Sequence, residues 1–136
     1  GQNLAPRPME TVLAGTGGCT AYDVVLILKR GRHDVRGCSV KLTTERAETD
    51  PKVFTKIHMQ FTVAGKGIPA AAVERAIAMS HDKYCSASIM LAKTAAITTG
   101  FEVLAAWARP HAGHGCRMSH VASYRAMRAG FWFQLA

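Results

Sequence analysis

Cysteine is the residue type with the clearest chemical potential in this sequence, which contains Cys19, Cys38, Cys85 and Cys116. No two of them are spaced as C-x-x-C, the arrangement of many redox and zinc motifs. The first residues also lack the basic and apolar regions of a secretory signal peptide, so a structural disulfide framework is not expected. If two of these cysteines act together, we expect thiol redox chemistry.

Cys19 directly follows Gly17 and Gly18 in the middle of a predicted helix. Each glycine costs a helix about 1 kcal/mol relative to alanine, so something should require them. Close approach of another backbone, or of a small substrate, would be such a reason. The alternative is a buried structural thiol, since free cysteine is among the most buried residue types. Cys38, at the start of a predicted strand, is expected to be structural.

Potential metal ligands gather in the last thirty or so residues of the sequence. They are His111, His114, Cys116 and His120. Their spacing matches none of the established zinc patterns. We therefore predict no metal site in this sequence.

Three other ionisable side chains lie in predicted elements. His58 falls on the polar face of a strand, where a solvated role is favoured over a ligand role. His81 lies one turn before Cys85; it could donate a proton, but a solvated helix histidine is favoured. Asp23 lies one turn after Cys19. It could raise the pKa of that thiol, although capping or pairing with a cation at an interface is favoured.

The element that should position Cys19 is a helix from Pro8 to Arg30. Proline suits the first turn of a helix, because its missing N–H has no helical partner there. Apolar residues dominate the segment, and Lys29 and Arg30 complement the helix dipole at its end. At about 1.5 Å per residue this helix is about 33 Å long, enough to cross a small domain.

Two predicted strands follow, at residues 38–46 and 53–64. Both alternate apolar and polar residues, which is typical of half-buried strands. Antiparallel pairing is the simplest topology for consecutive strands. The predicted apolar face of the second strand consists of Val53, Thr55, Ile57, Met59, Phe61 and Val63.

A second helix is predicted from Pro69 to about Lys93, and a third strand over residues 96–104. One stripe of that helix contains Val73, Ile77, Ser80, Tyr84, Ser88 and Leu91. Cys85 lies about 80° from Ile77 at 100° per residue, on the edge of the stripe, where it can meet another helix. The residues after 104 lack clear periodicity apart from a possible short helix from Ser119 to Arg128.

The totals indicate a single domain of 136 residues with a net charge of +8. A positive charge is compatible with nucleic acid or acidic lipid. The basic residues are scattered, however, and RNA-binding aromatic motifs and zinc-finger spacing are both missing from the sequence. No continuous apolar run approaches the ~20 residues of a membrane span. We therefore predict no nucleic-acid partner, no membrane partner and a cytoplasmic location.

The order of motifs resembles the osmotically inducible protein C / organic hydroperoxide resistance (OsmC/Ohr) family, closest to its branch of small cytoplasmic members. Three segments carry the resemblance: NLAPRPMETVLAGTGGCTAYDVVLILKR, CSVKLTTERAETDPKVFTKIHMQFTVAGKGI and VERAIAMSHDKYCSASIMLAKTAAITTGFEV. They run in unbroken order from Asn3 to about Ala106. The specific part is the pair of motifs GGC and KYCS on two separate helices, with the predicted strands between them.

The resemblance implies an α+β, OsmC-like fold in which long central helices pack on a curved antiparallel sheet. It also implies an intertwined homodimer with its active sites at the interface. Family members begin with a strand hairpin before the NLAPRP segment, which has no counterpart here. Residues 1–106 are thus interpreted as an N-terminally truncated OsmC-like domain with uncovered sheet edges. Residues 107–136 are interpreted as an atypical basic tail that is expected to pack poorly.

The activity implied by the resemblance is thiol-dependent reduction of organic hydroperoxides to alcohols, an oxidative stress defence. Cys19 matches the peroxidatic cysteine, which becomes a sulfenic acid, and Cys85 the resolving cysteine, which condenses with it to a disulfide. An external thiol reductant then regenerates the enzyme, and no cofactor is implied. Since the thiolate is the nucleophile, we expect a nearby cation or helix dipole to lower the pKa of Cys19.

Two departures from the family pattern bear on this activity. The arginine that activates the peroxidatic cysteine has no identifiable counterpart in this sequence. The family glutamate directly follows the proline that opens the helix, whereas here Met9 follows Pro8 and Glu10 comes next. Glu10 is thus a displaced candidate for the catalytic glutamate. The alternative function is a non-catalytic OsmC-like dimeric scaffold or a small apolar-ligand-binding protein.

Overall fold

The computed structural model describes residues 5–105 and 130–135. Within those residues, helical segments alternate with pairs of strands. The elements, in chain order, are α1 (Pro8–Arg30), β1 (Asp34–Arg46), β2 (Phe54–Lys66), α2 (Ala70–Met79), a π-helical turn (Ser80–Tyr84), α3 (Ser86–Leu91), β3 (Ala96–Leu104) and β4 (Gly130–Leu135). The possible helix at Ser119–Arg128 and the histidines of the predicted tail lie outside the described residues.

Helix α1 has the bounds that the sequence predicts, and it begins at Pro8. The backbone N–H of Arg7 donates to a carboxylate oxygen of Glu10 at 2.9 Å, which satisfies one donor at the start of the helix. One face of α1 packs on the sheet. The side chains that fill this contact are Leu13, Ala21, Val24 and Leu28.

The composition of α1 is also that of a membrane-spanning helix. Its mean hydropathy reaches 1.5 over 18 residues, a signal that inspection of continuous apolar runs misses. The core helix of a soluble domain passes the same test, and 39% of that window is buried within the protein. In this fold the apolar residues of α1 serve its contacts with β1 and α2.

The four described strands form one sheet in the order β3-β2-β1-β4. The predicted antiparallel pairing of β1 with β2 is confirmed. Strand β3 lies parallel to β2, so the sheet is mixed rather than wholly antiparallel. The helical connection between β2 and β3 is long enough to return the chain to the same end of the sheet, which a parallel pair requires.

Strand β4 has no counterpart in the sequence-based prediction. It runs antiparallel to β1, from the pair Thr43–Gly130 to the pair Cys38–Leu135. This edge of β1 was expected to be uncovered, and β4 instead satisfies its backbone hydrogen-bonding groups along those residues. A strand of six residues far along the chain is a weak periodic signal, which explains why the sequence did not reveal it.

The predicted buried face of β2 is correct from Ile57 to Val63 and wrong before it. Val53 is 38% exposed, whereas Phe54 is buried. The cause is an irregularity in the pairing with β1, where Glu45 pairs with Lys56 but Arg46 pairs with Phe54. The extra residue, Thr55, reverses the side-chain alternation at that point, as a β-bulge does.

The second predicted helix is broken into three parts. Helix α2 gives way to the π-helical turn, and Cys85 then adopts an extended conformation before α3 begins. The wider turn rotates the following residues relative to a regular helix. Tyr84, expected on the buried stripe, is therefore 45% exposed, while Cys85 is completely buried.

His81 is a further correction, because it is not a solvated histidine. Both ring nitrogens are buried without a hydrogen-bond partner among the described residues. The ring meets Phe61 edge-on, with 6.3 Å between the ring centroids. Loss of hydration lowers the pKa of His81, and the negative charges of Asp82 and Asp23 offset this only in part. His58, by contrast, is exposed as predicted, and its Nδ1 lies 2.8 Å from the hydroxyl of Thr98.

The burial of His81 predicts a stability that is sensitive to acid. The unfolded chain should titrate near the ordinary pKa of 6.5, whereas the folded state resists protonation of this ring. Below that pH the unfolded state binds the extra proton, so the free energy of unfolding falls by up to about 1.4 kcal/mol per pH unit. Urea unfolding at about pH 7.5 and about pH 5.5 measures this loss. The His81→Leu variant should lose less than the wild type, and equal losses would contradict the assignment.

Candidate active site

The two cysteines that the motifs single out are neighbours in the structure. Cys19 lies on α1 and Cys85 directly precedes α3, and both are free thiols. The two sulfur atoms and a carboxylate oxygen of Asp23 all lie within 4.8 Å of one another. Cys19 is half-buried and Cys85 is completely buried. Of these two cysteines, only Cys19 is partly exposed among the described residues.

Cys85 is positioned by the break in the helix. Its backbone N–H donates to the carbonyl of Ser80, five residues earlier, at 2.7 Å. Its extended backbone (φ −79°, ψ 93°) makes it the cap of α3, and its sulfur accepts from the N–H of Ser88 at 3.4 Å. The Ser88 hydroxyl donates to the Cys85 carbonyl at 3.0 Å. These contacts turn the thiol towards α1 instead of along the buried stripe.

A chain of hydroxyl groups orients Asp23. The Ser80 hydroxyl donates to Asp23 Oδ2 at 3.1 Å and lies 3.1 Å from the hydroxyl of Thr20. Because the single proton of Ser80 goes to Asp23, Thr20 is the donor in the second contact. Thr20 and Ser80 are both buried. The carboxylate is thus held on the same side of α1 as the thiol of Cys19.

Cys19, Cys85 and Asp23 form a cluster whose electrostatics oppose thiolate formation at Cys19. The pKa of Cys19 is raised from 9.0 to about 11, chiefly by loss of hydration, then by Cys85 and the charge of Asp23. The N–H of Ala87 donates to the Cys19 sulfur and is the one lowering influence in the described part of the chain. The expected lowering of this pKa by a cation or helix dipole is therefore wrong for this arrangement. The charge of Asp23 acts in the direction of the alternative considered for it, raising the pKa of the thiol.

The other candidate residues lie apart from this cluster. Glu10 caps the start of α1, nine residues before Cys19, which is about 14 Å along the helix axis. Cys38 is completely buried in the sheet, and the same loss of hydration raises its pKa to about 12. That is the environment of a structural thiol, as predicted. His81 lies in the π-helical turn that precedes Cys85.

An open cleft of about 650 Å³ lies between the helical segment and β3. Its wall includes Ile77, His81, Ser88 and Phe101, but neither Cys19 nor Cys85. Within the described residues, the cleft approaches the cluster only through Ser88, whose N–H contacts the Cys85 sulfur.

Three contributors to the site were not identified from sequence: Thr20, Ser80 and the backbone N–H of Ala87. One signal was present, because Ser80 is a polar residue within a largely apolar helical stripe. A buried hydroxyl requires a partner, so its position pointed to a polar group on the facing helix. Nothing in the sequence indicated the partner, since the π-helical turn sets the direction of Ser80.

Comparison with known proteins supports the resemblance read from the motifs. A model of the OsmC-like protein family matches residues 1–100. Protein YhfA of Escherichia coli K12 is 53% identical over 102 residues, which are 75% of this chain and 76% of that protein.

Two solved structures share the fold. A hypothetical protein from Aquifex aeolicus VF5 is 30% identical with a TM-score of 0.70, over 74% of this chain and 75% of that one. The organic hydroperoxide resistance protein OsmC from Legionella pneumophila has a TM-score of 0.62 at 16% identity, over 76% of this chain and 74% of that one. The second likeness is one of fold alone. With the family model matching most of its length, this chain belongs to the OsmC-like protein family and has its α+β fold.

Proposed function

We propose that this protein is a cysteine-based peroxidase that reduces organic hydroperoxides to alcohols in oxidative stress defence. The observation that carries the proposal is the meeting of the Cys19 and Cys85 sulfurs, which separate helical elements bring within 4.8 Å. Two free thiols at this separation can form a disulfide after small side-chain rotations. The Legionella pneumophila protein with the same fold is described as an organic hydroperoxide resistance protein, which agrees with such a role.

The different burial of the two thiols supports a different role for each. The half-buried Cys19 attacks the distal oxygen of the hydroperoxide, which breaks the O–O bond and leaves a sulfenic acid on Cys19. The departing alkoxide takes up the proton from the thiol and leaves as the alcohol. Cys85 then attacks the sulfenic sulfur, water leaves, and a Cys19–Cys85 disulfide forms. An external thiol reductant restores both thiols, so no bound cofactor is needed.

Peptide mapping by mass spectrometry tests this sequence of steps. Brief exposure of the reduced protein to one equivalent of cumene hydroperoxide should produce a Cys19–Cys85 disulfide. The Cys85→Ser variant should instead accumulate a sulfenic acid on Cys19, which dimedone traps, and the Cys19→Ser variant should do neither. Cys38→Ala, which removes a buried thiol outside the cluster, is the matched control and should behave as the wild type.

The raised pKa of Cys19 predicts a strong pH dependence of the first step. Since the thiolate attacks and the pKa is about 11, the rate of hydroperoxide consumption in a single turnover should rise about tenfold per unit from pH 7 to pH 9. N-acetylcysteine, with an ordinary thiol pKa, serves as the reference, and its rate should rise less steeply as the pH approaches 9. A rate that does not vary with pH would show that the described residues do not determine the pKa of Cys19.

The same raised pKa favours a second candidate function, the non-catalytic scaffold or apolar-ligand-binding protein. A thiol that stays protonated at neutral pH reacts slowly with peroxides. This candidate predicts that both thiols remain reduced for minutes in the mapping experiment. It also predicts that an apolar fluorescent probe binds equally well to the wild type and to Cys19→Ser. If both results are obtained, the non-catalytic function replaces the peroxidase proposal.

We further propose that the protein acts as a homodimer through α1. Four residues of α1 form a stripe on the side opposite the buried face: Val12, Gly15, Cys19 and Tyr22. They lie within about 80° of one another around the helix. Val12 is 44% exposed and Tyr22 is 60% exposed, about 15 Å apart along the helix axis, and exposed apolar side chains at both ends of one helix face support association. The stripe includes Cys19, so a second chain seated on it would border the active site.

Light scattering after gel filtration tests the homodimer. The wild type should elute as a dimer, and Tyr22→Asp should shift the equilibrium towards monomer by at least about tenfold, because a charge replaces a buried aromatic contact. Val53→Asp introduces the same charge at an exposed apolar residue away from α1 and is the matched control. A monomeric wild type, or equal effects of both substitutions, would contradict the proposed interface.

A further inference from the structure

We propose that Cys19, Cys85 and Asp23 together form a binding site for one thiophilic divalent cation, for which Zn²⁺ is the reference ion. The three side chains offer two sulfur atoms and one carboxylate oxygen, all within 4.8 Å of one another. This donor set suits zinc, which binds cysteine sulfur, histidine nitrogen and carboxylate oxygen. The proposal concerns metal binding and does not depend on the peroxidase activity.

The spacing of the three donor atoms is close to that of a tetrahedral site. With Zn–S bonds of about 2.3 Å, two sulfur ligands of one tetrahedral ion lie about 3.8 Å apart. The observed donor set therefore needs to contract by no more than about 1 Å, which rotations of the side chains can supply. Three ligands from the chain leave the fourth position open to water or another small ligand.

Surrounding groups hold the donors in place. Ser80 donates to Asp23 Oδ2, and Thr20 in turn donates to Ser80, so the carboxylate is oriented by two buried hydroxyls. The N–H of Ser88 donates to the sulfur of Cys85. Hydrogen bonds of this kind from the surroundings fix the direction of metal ligands and strengthen binding. The Asp23 carboxylate and the Cys85 sulfur are therefore oriented towards the site before a cation arrives.

The charge of the cluster also favours a cation. Two thiolates and the Asp23 carboxylate would place three negative charges within 4.8 Å, in a partly desolvated site. No lysine or arginine is among the described groups that act on Cys19. A divalent cation would supply the missing positive charge directly at the sulfur atoms, and zinc-bound thiols are deprotonated outright. The arrangement that is unfavourable for a free thiolate is therefore favourable for a metal thiolate.

Metal binding is tested on the reduced, chelator-treated protein without any peroxide. One equivalent of Zn²⁺ per chain should bind, measured by competition with a chromophoric chelator. Replacing Zn²⁺ by Co²⁺ should give the sulfur-to-cobalt charge-transfer absorption of thiolate ligands. Cys19→Ser and Cys85→Ser should each weaken binding at least 100-fold, and the near-isosteric Asp23→Asn at least tenfold.

Two controls separate this site from other cysteines and histidines. Cys38→Ala should bind zinc as the wild type does. A variant with His114→Ala and Cys116→Ser, outside the described residues, should also retain binding. Retention by Cys19→Ser, loss in the His114→Ala, Cys116→Ser variant, or a cobalt spectrum of the wild type without thiolate absorption would overturn the proposal. The cobalt spectrum is recorded on the wild type, so this test does not depend on whether any variant folds. The peroxide mapping is a separate assay, so failure of one proposal is distinguishable from failure of the other.

Discussion

The site depends on one hydrogen bond of unusual span, from the N–H of Cys85 to the carbonyl of Ser80. In a regular α-helix the same N–H would bind the carbonyl four residues earlier. The longer span widens the turn and ends the helix, so that Cys85 leaves the buried stripe and caps a new, short helix. The thiol of Cys85 and the hydroxyl of Ser80 both point towards α1 because of this turn. π-Helical turns occur often at functional sites for this reason: they redirect side chains at the cost of regular geometry.

The facing surface of α1 is adapted to this turn. Cys19 and Asp23 are four residues apart on α1, slightly more than one helical turn, and Thr20 lies between them. Their side chains therefore point to the same region. Thr20 and Asp23 satisfy Ser80, and Cys19 meets Cys85. The polar contacts are internal to the cluster and leave its sulfur atoms without a positive counter-charge among the described residues. Among the described residues, nothing in this arrangement lowers the pKa of Cys19 except the N–H of Ala87.

Sequence periodicity was sufficient for the elements that obey a single repeat. It predicted α1 and the pairing of β1 with β2, because long runs with a constant period leave little ambiguity. It failed where one extra residue changes the phase, at the bulge near Thr55 and in the turn before Cys85. Such insertions have no characteristic amino-acid composition that a sequence pattern could reveal. They are selected by packing between elements that are distant in sequence.

At the candidate site, too, the sequence predicted some features and missed others. The motifs singled out Cys19 and Cys85 as a pair, and the structure places the two residues together. The pKa of Cys19 was expected in the wrong direction, because it depends on which groups surround the sulfur and not on the motif. The role of Thr20 and the burial of His81 likewise depend on facing elements. Residue types indicate which chemistry is available, whereas neighbours decide how readily it occurs.

The pairing of β4 with β1 has a consequence for the synthesis of the protein. On the ribosome, α1, β1 and β2 are complete long before residues 130–135 emerge. Closing a loop of that length carries an entropic cost, and it can be met only after the last strand has left the exit tunnel. Until then the edge of β1 from Cys38 to Thr43 lacks its partner. The nascent chain therefore passes through a stage that exposes an open strand edge, the surface by which unfinished domains associate wrongly.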